Sequence, residues 1–280
     1  VDSLFEKNGS CSVQIGGAGG EIRGNRFLES GQVFTSACGV YLGGREIVFA
    51  ENEIAGAPYC GVCYSGSRHL FESNRVSRVM QSLHDGGAFY GMSAECVFRG
   101  NRVTDNRPDA RSRHAFYYDE GSYDGLVVDN YVEGGFKTVI HNHMTRNIVI
   151  SNNVFKTPGD MSVSFSRSRG GVFVGNELHI GGKIAGLPDA TSLAKWEGNR
   201  IYAQGTLTNA APVVKRLGRQ PDPVKVFRAE KAPSFDGSFD AACWPGTWHT
   251  ANRGRDREDE GGAPHLFRGC HDGTNLTSIP

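Results

Sequence analysis

Apolar and polar residues alternate in short runs along most of the chain, as in "GVYL", "GVCY", "GAFY", "HAFYY", "TVIHNH" and "VSFS". A period of two over four to six residues, in runs rich in Val, Phe and Tyr, predicts β-strands rather than helices. Some 12–15 residues after such a run comes a second apolar element with an asparagine at its centre. These elements read "IRGNRF", "FAENEI", "FESNRV", "FRGNRV", "VVDNYV", "ISNNVF", "FVGNEL" and "WEGNRI". Their asparagines, Asn25, Asn52, Asn74, Asn101, Asn130, Asn153, Asn176 and Asn199, are spaced 27, 22, 27, 29, 23, 23 and 23 residues apart.

Recurrence at that period marks a solenoid. Leucine-rich repeats share the length but need an L-x-x-L-x-L framework that this chain lacks, and helical repeats are longer. Two or three short strands per coil, stacked at about 4.8 Å, predict an all-β, right-handed parallel β-helix over residues 1–210. The repeated asparagine suits a tight turn: it tolerates the left-handed conformation, and stacked Asn side chains hydrogen-bond from coil to coil.

After "WEGNRIYAQG" the period fails, and the proline- and lysine-containing stretch at 211–228 reads as a linker. Residues 229–280 have another composition, with Trp244 and Trp248, and are expected to form a partial β-sandwich. "APSFDGSFDAACWPGTW" resembles the opening strands of family 9-like carbohydrate-binding modules. Such modules are longer, so the resemblance implies a truncated sandwich and a chain that is part of a longer multidomain protein. "RGRDREDE" at 253–260 is a solvated loop, because charge at that density is not buried.

Composition narrows the partners. The 280 residues carry 30 Lys+Arg and 30 Asp+Glu, which gives no electrostatic ground for nucleic acid or an anionic membrane surface. No apolar run is long enough to span a bilayer as a helix. The opening "VDSLFEKNGS" has no signal-peptide pattern and reads like the middle of a protein. Seven cysteines include the "CGVC" of Cys60 and Cys63, but no His or Cys follows at finger-like spacing, so they read as small buried apolar residues, and no metal or other cofactor is expected.

Stacked coils turn outward-facing strand positions into a long groove suited to a polymer. Coils four to six carry His84, Asp85, Tyr90, His114, Tyr117, Tyr118, Asp119, Glu120, His141 and His143. Aligned on Ala88, Ala115 and Val139, Tyr90, Tyr117 and His141 fall in one column, and Asp119 and His143 in another. On this register Asp85 lies three residues before Ala88 and Asp119 four after Ala115, about 20 Å apart if both stretches are extended. Either the Gly86-Gly87 step bends the chain back across the groove, or the register differs. Asp119 with His141 and His143 is also a conceivable transition-metal set.

"DGGAFY", then "FYYDEGS" a coil later, then "NIVISNNVF" resemble the β-helix glycoside hydrolases of the family 141 and family 120 type. The resemblance covers residues 10–205, and its two acidic motifs are the specific part. It implies that Asp85 and Asp119 are catalytic acids, with Glu120 the acid beside the second. Phe89 and Tyr118 depart from the family pattern.

Two carboxyls flanking a glycosidic bond can protonate the leaving oxygen and attack or activate water. His84, Tyr90, His114, Tyr117, Tyr118, His141 and His143 are then the expected substrate-binding residues, orienting hydroxyls or stacking on pyranose rings. The leading expectation is a secreted or cell-surface glycosidase acting on a plant or microbial polysaccharide or oligosaccharide. A polysaccharide lyase is the enzymatic alternative, with Lys137, Arg111 and Arg113 as candidate base and uronate-neutralising cations. A non-catalytic, carbohydrate-binding or adhesive β-helix is the third reading.

Overall fold

The computed structural model describes residues 1–105, 113–136 and 138–214, and further on the backbone of four short strands. The chain folds as two compact units, Val1–Lys215 and Arg216–Pro280. The first unit is a right-handed parallel β-helix. Each coil contributes one strand to each of three parallel sheets, which resolves the expected two or three strands per coil as three.

The first sheet holds eight strands, among them Val40–Leu42, Val62–Ser67, Gly86–Ala94, Arg113–Tyr118, Thr138–His143 and Met161–Ser166. The second also has eight strands, from Glu21–Arg23 to Leu193–Glu197. The third has ten, from Leu4–Glu6 to Arg200–Ala203 and then Thr206–Thr208, which pairs antiparallel with its neighbour.

Alternation turns every second residue of a strand inside, and the in-register pairing stacks like upon like. In the first sheet Val40, Val62, Phe89, Phe116, Ile140 and Val163 form one such row. In the second, Phe49, Phe71 and Phe98 do the same, with the Phe71 and Phe98 rings parallel at 4.4 Å. All of these side chains are buried. Burying them supplies the apolar driving force, on the order of 1.5–3 kcal/mol for each large side chain.

The eight asparagines stand at one corner, between the second and third sheets. From Asn52 onward each carboxamide oxygen accepts from both the backbone N–H and the side-chain amide of the asparagine one coil earlier: Asn101 Oδ1 from Asn74 N at 3.0 Å and Asn74 Nδ2 at 2.9 Å. The ladder runs unbroken from Asn25 to Asn199. The expected turn role shifts by one residue, however. The left-handed conformation belongs to the residue before each asparagine, namely Gly24, Glu51, Ser73, Gly100, Asp129, Asn152, Gly175 and Gly198. The reversal at that residue lets the following Asn turn its amide into the helix.

In the second unit, Leu266–His271 pairs antiparallel with His249–Thr250 and Leu276–Ile279, and parallel with Phe227–Arg228. Phe227–Arg228 falls within the stretch read as linker. Trp244, Trp248 and the loop at 253–260 lie outside the described residues.

Candidate functional site

The outward face of the first sheet carries the chemistry. Tyr90, Tyr117 and His141 are register partners on three successive coils. Asp119 follows the strand Arg113–Tyr118 and keeps its register, its N–H bonding to Gly91 O at 2.9 Å. That sets Asp119 beside the column of Tyr90, Tyr117 and His141, as the alternation predicts. Asp119 Oδ2 accepts a hydrogen bond from the Tyr90 hydroxyl at 3.0 Å, and Oδ1 lies 3.1 Å from His143 Nδ1. The carboxylate is thus fixed from two sides while staying partly open to solvent, at 15% side-chain exposure.

A local irregularity shapes the rest. Ala115 and Phe116 are consecutive and both buried, so the strict alternation slips by one residue there. The same slip shows as a bulge where Thr138–His143 meets Met161–Ser166, between Thr138 and Ile140. Bulges of this kind re-aim side chains beside functional sites. Here His114 comes to the same side as Tyr117 three residues on, with ring centroids 5.0 Å apart. His114 stacks on His141 at 4.7 Å, His141 on His143 at 5.9 Å, and Tyr117 meets His141 edge-on at 4.5 Å.

This crowding has electrostatic consequences. Burial lowers His114 to about 4, and burial with the neighbouring His114 and His143 rings lowers His141 to about 4, so both rings are neutral at neutral pH. Burial, and next the Asp119 carboxylate, push the Tyr90 and Tyr117 phenols above their ordinary range. Asp85 adds to the same effect on both phenols, so its carboxyl lies within electrostatic reach of the rings that adjoin Asp119.

For Asp85 the structure upholds neither alternative raised by the sequence. The register stands: Gly87 pairs with His114 and Phe89 with Phe116, which sets Ala88 opposite Ala115. The chain bends at Asp85 itself, which takes the left-handed conformation at φ +58°. Gly86 and Gly87 are already extended strand, and their glycine identity answers to packing. A Cβ on Gly86 would stand 2.5 Å from Cys60 Sγ, and one on Gly87 2.9 Å from His114 O. Tyr59 clasps the turn, its hydroxyl donating to Asp85 O at 2.8 Å and its ring meeting Tyr90 edge-on.

Not every expected residue reaches the face. Tyr118 is corrected outright: one residue from the outward Tyr117, it points inward, is 1% exposed, and donates its hydroxyl to Cys96 O at 2.9 Å. Its ring is closed off from the outward face. His114 is largely covered, with Nδ1 3.1 Å from Thr138 O, and acts as a support beneath His141. Arg113 is buried in an ion pair with Asp105 at 3.3 Å, so it cannot meet a uronate on the surface. Arg111 and Lys137 lie outside the described residues. His84 and Glu120 are exposed or nearly so, His84 just before Asp85 and Glu120 just after Asp119.

Two further residues belong to this face. Met92 is 54% exposed and sits opposite Asp119 one coil earlier; its place two residues after Tyr90 is the signal in the sequence that could have found it. Tyr59 gives no such signal, because it precedes its strand and no period marks it. His141 and His143 stack face to face, and among the described residues no group of three His, Cys, Asp or Glu side chains is arranged to hold a metal ion. A cleft of about 670 Å³ lies elsewhere, on the third sheet, lined by Glu133, Lys156, His179 and Tyr202 among others.

A family model described as a right handed beta helix region matches residues 11–183. No curated protein and no solved structure matches the chain.

Proposed function

The chain belongs to the right-handed β-helix family, and from that footing we propose that it is a glycoside hydrolase working on the outward face of the first sheet. The observation that carries this reading is the Asp119 carboxylate, held by Tyr90 and His143 and flanked by phenols that also feel the charge of Asp85. A carboxylate oriented by two hydrogen bonds suits a nucleophile or a base. Asp85, exposed on a sharp turn, is then the proton donor to the leaving oxygen.

The neutral imidazole of His141 and the phenols of Tyr90 and Tyr117 line the floor without adding a charge to it. Tyr90 and His141, both part-exposed, give a hydroxyl and ring faces to a neutral pyranose, whereas Tyr117, only 5% exposed, braces His141 edge-on. The carboxyl separation in the substrate complex selects the outcome: about 5–5.5 Å gives retention, about 6.5–9.5 Å inversion. A uronate lyase fits less well, because Arg113 is spent on Asp105. The outward face of the first sheet runs across successive coils and so suits a polysaccharide or oligosaccharide chain, and the proposed setting is outside the cell, where such polymers are met.

The test is a panel of plant and microbial glycans assayed for reducing-end release, with Asp119→Asn, Asp85→Asn and Glu120→Gln beside the parent. Loss of turnover by roughly three or more powers of ten for Asp119→Asn and Asp85→Asn, with Glu120→Gln near normal, is expected. Normal turnover in Asp119→Asn would overturn the assignment. An unsaturated, ultraviolet-absorbing product would decide for the lyase.

A further inference from the structure

Cys11 and Cys38 each stand two residues before a strand of the first sheet, Val13–Ile15 and Val40–Leu42. Those strands pair in register, Val13 opposite Val40, so the two thiols hold equivalent places one coil apart. Their sulfurs are 3.3 Å apart, closer than ordinary sulfur contact. Cys60 holds the equivalent place on the third coil, but its sulfur is 3.4 Å from the N–H of Gly87. "CGVC" read along the chain suggests nothing; the coils bring it partners from 22 and more residues upstream.

We propose that Cys11 and Cys38 are a disulfide site that ties the first two strands of this sheet together. In-register neighbours in a parallel sheet have Cα atoms about 4.8 Å apart, inside the roughly 4.4–6.8 Å window that a disulfide spans without backbone movement. Closing the sulfurs from 3.3 Å to about 2.05 Å takes only small χ1 rotations. Cys11 is part-exposed and Cys38 buried, so an incoming oxidant meets Cys11 first.

The chemistry balances with a small disulfide such as oxidised glutathione. The Cys11 thiol loses its proton and attacks it, releasing one glutathione thiolate and leaving a mixed disulfide. Cys38, losing its own proton, then attacks the Cys11 sulfur and expels the second glutathione. Two S–H bonds become one S–S bond, and the two electrons reduce the glutathione disulfide to two thiols. Hydrogen bonding to Cys38 and burial hold the Cys11 thiol well above its usual range. Cys38 is lowered by its hydrogen bond with Cys11, but the one with Cys63 and burial outweigh that and push it up to about 12. Since the thiolate is the nucleophile, closure is slow at neutral pH and faster in alkali.

The test uses the full chain, incubated with oxidised glutathione at about pH 8.5, near the ordinary thiol range, then blocked by alkylation and cut with trypsin. Cys11, Cys38 and the Cys60/Cys63 pair fall in separate peptides, residues 8–23, 27–45 and 46–68, so mass spectrometry distinguishes a Cys11–Cys38 link from a link of either to the Cys60/Cys63 peptide. The expected product links 8–23 to 27–45, and melts roughly 5–10 °C above the reduced chain, from closure of a 27-residue loop. Cys11→Ser and Cys38→Ser should abolish that rise, and Cys63→Ser should keep it. Alkylatable Cys11 and Cys38 after oxidation, a stable glutathione adduct on Cys11, or Cys38 linked to the 46–68 peptide would each overturn the proposal. The peptide map on the unsubstituted chain decides the matter even if a serine variant fails to fold.

Discussion

Replacing Asn101 by Ala in mid-ladder tests the claim that side-chain amides, and not apolar burial alone, hold adjacent coils in register. The Asn101 side chain makes four hydrogen bonds. Its oxygen accepts from Asn74 N and Asn74 Nδ2, and its amide donates to Asn130 Oδ1 and Phe71 O, all within 2.9–3.0 Å. Alanine removes all four and strands the buried Asn74 backbone N–H that this oxygen accepts from. An orphaned buried donor costs about 1–3 kcal/mol, and each remaining net bond contributes about 0.5–1.5 kcal/mol. Together these give a loss of about 2.5–7.5 kcal/mol. Asn199 is the control: its side chain takes Asn176 N and Nδ2 and gives to Phe173 O, but it is partly exposed, so water replaces the lost partners. Asn199→Ala should cost about 1 kcal/mol. Urea unfolding followed by far-ultraviolet circular dichroism measures both. Equal losses in the two variants, or a loss under about 1 kcal/mol at Asn101, would refute the idea that buried amide pairing locks the register.

Tyr90→Phe removes the hydroxyl that donates to Asp119 Oδ2, a charge-assisted bond of about 1.5–3 kcal/mol, and should cut turnover roughly 10- to 100-fold by loosening the carboxylate. Unchanged turnover would show that this bond does not position the acid. His114 and His141 are held near pKa 4 against an ordinary 6.5, so the unfolded chain takes up protons that the native one refuses as pH falls. Stability should be unaffected above about pH 6.5 and decline between there and about pH 4, by up to about 3 kcal/mol for His114 and less for the more exposed His141. Melting temperatures across that range, with His114→Gln flattening the slope, check it. Gly91→Ala would drive a methyl to 1.9 Å from the Tyr64 carbonyl oxygen, inside the wall of the helix. A loss of at least ~3 kcal/mol, read as a fall in soluble yield and melting point, is expected.

The sequence by itself determined the coil. Alternation of period two chose strands, and the asparagine spacing chose a solenoid with one amide per turn, because both patterns are chemical repeats that survive without coordinates. The columns of Tyr90, Tyr117 and His141, and of Asp119 with His143, follow from the same arithmetic, since parallel stacking carries equal offsets from coil to coil. The inward turn of Tyr118 was within reach of that arithmetic too, as the neighbour of an outward residue.

Only the tertiary structure decided what depends on a break in the pattern or on segments of unequal length. The slip at Ala115 and Phe116 that brings His114 under His141 is a loss of periodicity, and alternation cannot announce it. The turn at Asp85 rests on one backbone dihedral, while the adjacent glycines, which looked like the hinge, serve to admit Cys60 and the His114 carbonyl. Arg113 was lost to Asp105 by an approach that no periodicity marks, and the Cys11 and Cys38 sulfurs, 27 residues apart in the chain, met only once the first two coils had stacked. Local chemistry repeats along the chain and can be read there. The meeting of side chains from separate coils is fixed by the register between coils, which exists only once the helix has wound.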